Sequence, residues 1–168
     1  MNWPAKPMTT IPPTLELDGQ VLVPGRASGL TIALPPLSFW GGYDAENGVI
    51  VDKTHAGYGQ SLKDRMLIMP RARGSSSSSS VLAEALRNRT GPSGIVLAER
   101  DLILAIGVIA ANELYALSVP VVSVGEDVFA QIASFTATLE IDAGDASRPA
   151  RIYVQKRLIP SSRTPGND

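Results

Sequence analysis

Residues 65–89 read RMLIMPRARGSSSSSSVLAEALRNR. Arg65–Met69 is a short apolar run of the kind that forms a buried strand. Pro70–Gly74 has the composition of a turn. Val81–Arg89 places apolar residues at helical spacing, and Gly91-Pro92 stops the helix where a helix end is expected. Strand, turn and helix in that order form one α/β unit.

The six serines, Ser75–Ser80, admit two readings. Composition alone makes them a flexible linker. A linker joins two domains, however, and residues 1–75 hold too little apolar sequence for a core of their own. A strand-to-helix connection in such units is normally short, about 2–6 residues. As a turn, the segment has a use for each part. Gly74 permits close backbone approach or a positive φ. One serine can N-cap the helix, and the free N–H groups at the helix start form an anion site. Arg71 and Arg73 stand ready to add charge-assisted contacts.

A serine hydroxyl presented there can bind a carboxylate or accept a proton, and magnitude limits the second role. An alcohol ionises about as reluctantly as water, with a pKa of about 15.7. Bringing it to neutrality takes roughly 12 kcal/mol at about 1.36 per unit. A helix terminus supplies about 2 kcal/mol at best. A base of this kind therefore needs a metal ion, further cations or concerted proton transfer from elsewhere, which points to a site shared with a partner.

Outward from this unit, Leu15–Val23 alternates around Asp18-Gly19 and predicts strand, turn, strand. Pro24–Gly29 predicts a turn and Leu30–Leu34 a strand. Residues 35–61 are rich in Gly and aromatics, with a hairpin signal at residues 44–48 before a strand at Val49–Val51. Long irregular segments of this kind are functional or interfacial. Further on come a strand at Ile95–Leu97, a helix at Leu102–Leu114 that is apolar nearly all round and hence buried, and a strand at Val119–Val124. A helix at Glu126–Ala133 and strands at Phe135–Ile141 and Arg151–Val154 complete the series. The expected class is α/β, a compact barrel or sandwich of strands flanked by helices. Residues 1–13 and 157–168 are Pro-rich and read as flexible tails around one domain over residues 14–156.

The 168 residues carry 15 Lys+Arg against 16 Asp+Glu, a formal net charge of −1. Nothing here favours nucleic acid or an anionic membrane. There is no cysteine and a single histidine, His55. That excludes disulfides and a cysteine nucleophile, and it leaves too few ligands for an iron–sulfur or typical zinc site in this chain. No signal peptide or membrane span is recognisable, so a cytoplasmic location is expected.

Several motifs in order resemble one family. They are Pro36-Leu37-Ser38-Phe39-Trp40-Gly41-Gly42-Tyr43-Asp44, Gly48-Val49-Ile50-Val51-Asp52, and His55 with Gly59-Gln60-Ser61-Leu62. Arg73-Gly74-Ser75-Ser76-Ser77, Gly94-Ile95-Val96-Leu97 and Ile106-Gly107 with Ala110 follow. Together they resemble the small subunit, or swivel domain, of aconitase X, over residues 15–130. The resemblance implies an aconitase-like swivelling β/β/α domain in a hydro-lyase (dehydratase), docked as a heterodimer on a large aconitase-like subunit. It also implies that iron or an iron–sulfur cluster sits in that large subunit, with no cofactor bound by this chain alone. Bacterial members are similar to cis-3-hydroxy-L-proline dehydratase, archaeal ones to mevalonate 5-phosphate dehydratase. The Ala-, Arg- and Pro-rich composition favours the former substrate. By the same resemblance Ser75 is the proton acceptor and Ser76 and Ser77 contact the substrate, with Arg73 beside them. The unbroken run to Ser80 departs from the family pattern and leaves Ser78, Ser79 and Ser80 without assigned roles.

Thr54-His55-Ala56 also resembles phosphohistidine swivel domains, a different class of function. A structural histidine with both nitrogens hydrogen-bonded is the plainer reading. Asp44 and Asp52 read as a turn and a strand-end aspartate rather than an acid–base pair. Phe39-Trp40-Gly41-Gly42 either packs beneath the loop or lines an interface.

Overall fold

Apolar side chains on both faces of a strand demand cover on both sides, and RMLIM is such a strand. In the computed structural model, which describes residues 14–156, β5 (Arg65–Met69) has Met66, Leu67, Ile68 and Met69 fully buried. It runs parallel to β2 (Gly25–Ala33) on one side and β6 (Gly94–Leu97) on the other, and β6 runs parallel to β7 (Val121–Ser123). Three antiparallel-paired strands, β1 (Thr14–Val23), β8 (Ala137–Ala143) and β9 (Ala150–Lys156), close the barrel in the order β1-β7-β6-β5-β2-β8-β9. The tails expected at residues 1–13 and 157–168 lie outside the described residues.

Strand alternation divides the apolar residues into two cores. Met66, Ile68, Val96, Val122, Leu139, Ile141, Ile152 and Val154 face one another inside the barrel, together with Ile132 of α4 (Glu126–Ala133). Leu67, Met69, Ile95, Leu97 and Val121 face outward. They are covered by Leu82 and Leu86 of α2 (Ser78–Arg87) and by Leu104 and Val108 of α3 (Leu102–Tyr115). The element order read from the sequence is therefore realised as a mixed α/β barrel with flanking helices.

Three local expectations are corrected. Asp18-Gly19 is not a turn: β1 is continuous, and Gly19 is where it changes partner. Residues 14–19 pair with β9, and Gln20 onward pairs with β7. A Cβ at Gly19 would come within 3.2–3.3 Å of Val124 and Ile152 side chains and the Ser123 carbonyl, so the glycine serves close packing. The turn expected over Pro24–Gly29 is instead the first half of β2, paired antiparallel with β8 before the strand passes to β5. The helix at Leu102–Tyr115 is covered on one side only, leaving Leu102, Ile106, Ile109 and Leu114 exposed.

The segment 35–61 folds over the end of the helical layer. It contains a kinked single turn, α1 (Phe39–Gly42), with Gly41 at φ 72°, and a small hairpin of β3 (Tyr43–Asp44) and β4 (Val49–Ile50). The Tyr43 hydroxyl donates to the Thr90 carbonyl at 2.6 Å, tying the hairpin to the end of α2. Burial pushes that hydroxyl's pKa up to about 12.

Candidate functional site

The four parallel strands end on one rim of the barrel, the edge at which α/β folds place their ligand sites. The serine run leaves that rim after β5. The turn precedes the helix, and α2 begins at Ser78 rather than Val81. The N–H groups of Ser78, Ser79 and Ser80 bond the carbonyls of Ser75, Ser76 and Ser77 at 3.0–3.2 Å, a tight lead-in that satisfies the helix start from within. Ser77 holds the N-cap position, but its side chain makes no cap bond, contrary to the capping role expected of one serine. The Ser77 N–H instead donates to the Ser75 hydroxyl at 3.2 Å. No acceptor meets the N–H groups of Ser75 and Ser76 among the described residues, and both residues are exposed. The open donors therefore lie in the turn ahead of the helix.

Four contacts fix this turn. Gly74 has φ 97°, and a Cβ there would approach the Ser38 hydroxyl to 2.6 Å. The buried Ser78 hydroxyl accepts from the Trp40 N–H at 3.2 Å. Asp101 caps α3 by accepting from the Ile103 and Leu104 N–H groups, and its other oxygen accepts from the Ala72 N–H at 2.9 Å. Gly107 lets α3 approach α2 so closely that an added Cβ would lie 2.5 Å from the Ser79 carbonyl. Ser78, Asp101 and Gly107 were given no role in the sequence reading. The Asp before an apolar helix was a readable capping signal; the pairing of Ser78 with Trp40 had none. Ser78→Ala strands a part-buried N–H, so unfolding by urea should show a loss of about 1–2 kcal/mol. Ser80→Ala, at an exposed position, should be near neutral.

Next to the turn lies a cleft of about 570 Å³ lined by Pro35, Thr54, His55, Arg71, Arg73 and Gly74 among others. Arg73 and Gly74 reach it, whereas Ser75, Ser76 and Ser77 do not line it. Arg73 is also not free: its Nη2 lies 3.3 Å from Asp52 Oδ2. The Thr54 hydroxyl and N–H hold the Asp52 carboxyl below the usual carboxylate range, with Arg73 adding a smaller pull. A depressed carboxylate contributes stability above its unfolded pKa, near 3.8, and loses it as pH falls through the lower folded value. Thr54→Val should therefore move the Asp52 titration, followed by carboxyl-carbon NMR, up towards 3.8 and flatten the acid slope of stability.

His55 is buried, with Nδ1 accepting from the Gly57 N–H at 3.0 Å and Nε2 lying 3.2 Å from the Pro35 carbonyl. Both ring nitrogens are thus engaged, with Nε2–H donating when Nδ1 accepts. Asp44 closes its own turn by accepting from the Glu46 and Asn47 N–H groups. Phe39 is buried edge-on to Tyr43, with ring centroids 5.6 Å apart, while Trp40 is 61% exposed. The motif thus both packs and projects. Among the described residues no group of three or more His, Asp or Glu side chains is placed to hold a metal ion, and no helix is long and apolar enough to cross a membrane.

The family model described as "Aconitase X swivel domain" matches residues 16–147. The chain belongs to the aconitase X swivel-domain family. Across 108 residues it is 43% identical to a cis-3-hydroxy-L-proline dehydratase from Pseudomonas aeruginosa, covering 64% of this chain and 19% of that protein. Across 132 residues it is 31% identical to a phosphomevalonate dehydratase small subunit from Thermococcus kodakarensis, covering 78% of this chain and 94% of the relative. The crystal structure of Thermococcus kodakaraensis aconitase X (holo-form) superposes with a TM-score of 0.70 at 28% identity, covering 83% of this chain and 98% of that one. The swivel fold expected of the barrel is therefore shown. The chain spans about a fifth of the length of the cis-3-hydroxy-L-proline dehydratases it matches.

Proposed function

We propose that this swivel domain supplies one half of the active site of an aconitase X-type hydro-lyase that dehydrates cis-3-hydroxy-L-proline. The observation that carries the reading is the exposed, externally pinned serine turn at the barrel rim. Ser75 stands first, exposed, and its hydroxyl hydrogen-bonds to Ser77. Dehydration needs a base for the carbon acid and an acceptor for the leaving hydroxyl. Ser75 Oγ takes the proton from carbon. The open N–H groups of Ser75 and Ser76 face the substrate's carboxylate, with Ser76 and Ser77 hydroxyls donating beside them. Arg73 adds positive charge only on leaving its ion pair with Asp52 in the adjacent cleft.

This chain's own electrostatics fall far short of the roughly 12 kcal/mol needed to ionise an alcohol near neutral pH, so the remainder comes from a large aconitase-like subunit. By its likeness to the aconitase X family, an iron or iron–sulfur centre would sit in that subunit. The enzyme is then a cytoplasmic two-part assembly. Higher identity to the hydroxyproline enzyme than to the phosphomevalonate one supports the substrate choice.

The test is to assemble the chain with its large subunit and supply each substrate. Dehydration of cis-3-hydroxy-L-proline with a kcat/KM at least about 100-fold above that for mevalonate 5-phosphate is the expected result; discrimination of that size corresponds to about 2.7 kcal/mol. The reverse preference would overturn the substrate, and no dehydration of either would overturn the class. A phosphocarrier role for His55 has the opposite signature, an acid-labile phosphoprotein after incubation with phosphoenolpyruvate; the engagement of both His55 nitrogens argues against it.

A further inference from the structure

α3 is apolar over most of its circumference; its only charged residue, the exposed Glu113, stands four residues after Ile109 at the C-terminal end of the exposed face. A helix of that composition is buried all round. Here Leu104, Ala105, Val108 and Ala111 are buried against the barrel and α2, while the opposite side is bare. Leu102, Ile106 and Ile109 are 62%, 60% and 45% exposed and follow one another at spacings of four and three residues, which places them on one stripe. Leu114, 72% exposed, flanks the stripe. These side chains expose on the order of 500 Å², as much as the largest apolar patch a monomer usually tolerates, and enough to form the centre of an interface of about 800 Å² per partner.

Resting on the function proposed above, we propose that this ridge seats the large aconitase-like subunit and thereby sets the position of the serine turn in the shared site. Three observations select that occupant. Related dehydratases are about five times longer than the segment this chain matches, and others are named small subunits, so a large body adjoins this domain in its relatives. The ridge continues into a groove of about 390 Å³ lined by Ser79, Ser80, Ile106, Gly107, Ala110 and Tyr115. A partner lying on Ile106 is therefore carried to the helix start that the serine turn precedes. Finally, a second copy of this chain paired through the ridge would close that same groove with a domain that brings no cysteine and no metal-ligand cluster among its described residues.

The experiment is titration of the full chain into the purified aconitase X large subunit of the same genome, for the wild type, Ile109→Lys, Leu102→Lys and Ile109→Val. Both lysines replace exposed side chains, and circular dichroism with thermal melting checks that each variant is folded. The expected result is at least about tenfold weaker binding for each lysine variant, with Ile109→Val close to wild type. Wild-type binding with both lysine variants unimpaired overturns the ridge while leaving the enzyme assignment standing. Failure of the wild type itself to bind overturns both. A homodimer of the isolated chain that Ile109→Lys dissociates assigns the ridge to a second copy and overturns the large subunit as its occupant.

Discussion

Ser75→Ala is expected to lower kcat of the assembled dehydratase by about 10²- to 10⁴-fold, the range associated with loss of a positioned acid or base. Stability should stay within about 0.5 kcal/mol of wild type, as for other exposed positions. The two effects separate because of where Ser75 sits. It is exposed, it precedes α2, and its hydroxyl hydrogen-bonds to Ser77. Removing the hydroxyl leaves the Ser77 N–H at an exposed site where water can take its place, and the Ser75 backbone carbonyl still holds the Ser78 N–H. Ser76→Ala and Ser77→Ala should instead act chiefly on KM, because a donor to the substrate binds ground state and transition state alike. A Ser75→Ala enzyme with near wild-type kcat sinks the base assignment. If the loss falls on Ser76 or Ser77 instead, the turn is right and the residue wrong.

The strands and helices were legible because their information is local, whereas the choice of a closed barrel over a sandwich rests on the long-range pairing of β1 with β9. RMLIM, GIVL and the apolar helices announce buried strands and cover through composition and period. The serine turn was legible in part. Its place between a strand and a helix argued against a linker, and the structure does put the run there. Six identical residues, however, conceal which one does what. Only the helical register separates an exposed Ser75 from a buried Ser78, and that register depends on where α2 starts. α2 starts three residues earlier than the apolar pattern showed, because serines carry no apolar signal. Asp18-Gly19 misled for a related reason. Glycine marks both turns and close approaches, and only the change of partner from β9 to β7 tells which is meant. The helix expected at Leu102–Leu114 is covered on one face only, because composition tells how apolar a helix is but not which of its faces the chain itself covers.

Gly107→Val should be the most destabilising of the substitutions considered. A Cβ at this position would meet the Ser79 carbonyl at 2.5 Å and the Ser79 Cα at 3.0 Å. Both are backbone atoms, so no side chain can swing aside and α2 must move relative to α3. Overpacking of this kind costs about 3 kcal/mol, which for a chain of this size is a fall in Tm of roughly 6–12 °C. Gly107→Ala should cost less. It introduces the same first contact, but alanine regains about 1 kcal/mol of helix propensity over glycine and adds no branch to the clash. Calorimetric melts of the two variants separate these contributions. Activity in the assembled enzyme then reports the direction of the shift. Ser79 is one residue past the start of α2, so displacing it shifts the turn, and with the site proposed above kcat should fall even where the protein remains folded at the assay temperature. A valine variant that melts like wild type would mean the two helices are not held at this distance, and the account of how the serine turn is positioned would have to rest on Ser78 and Asp101 alone.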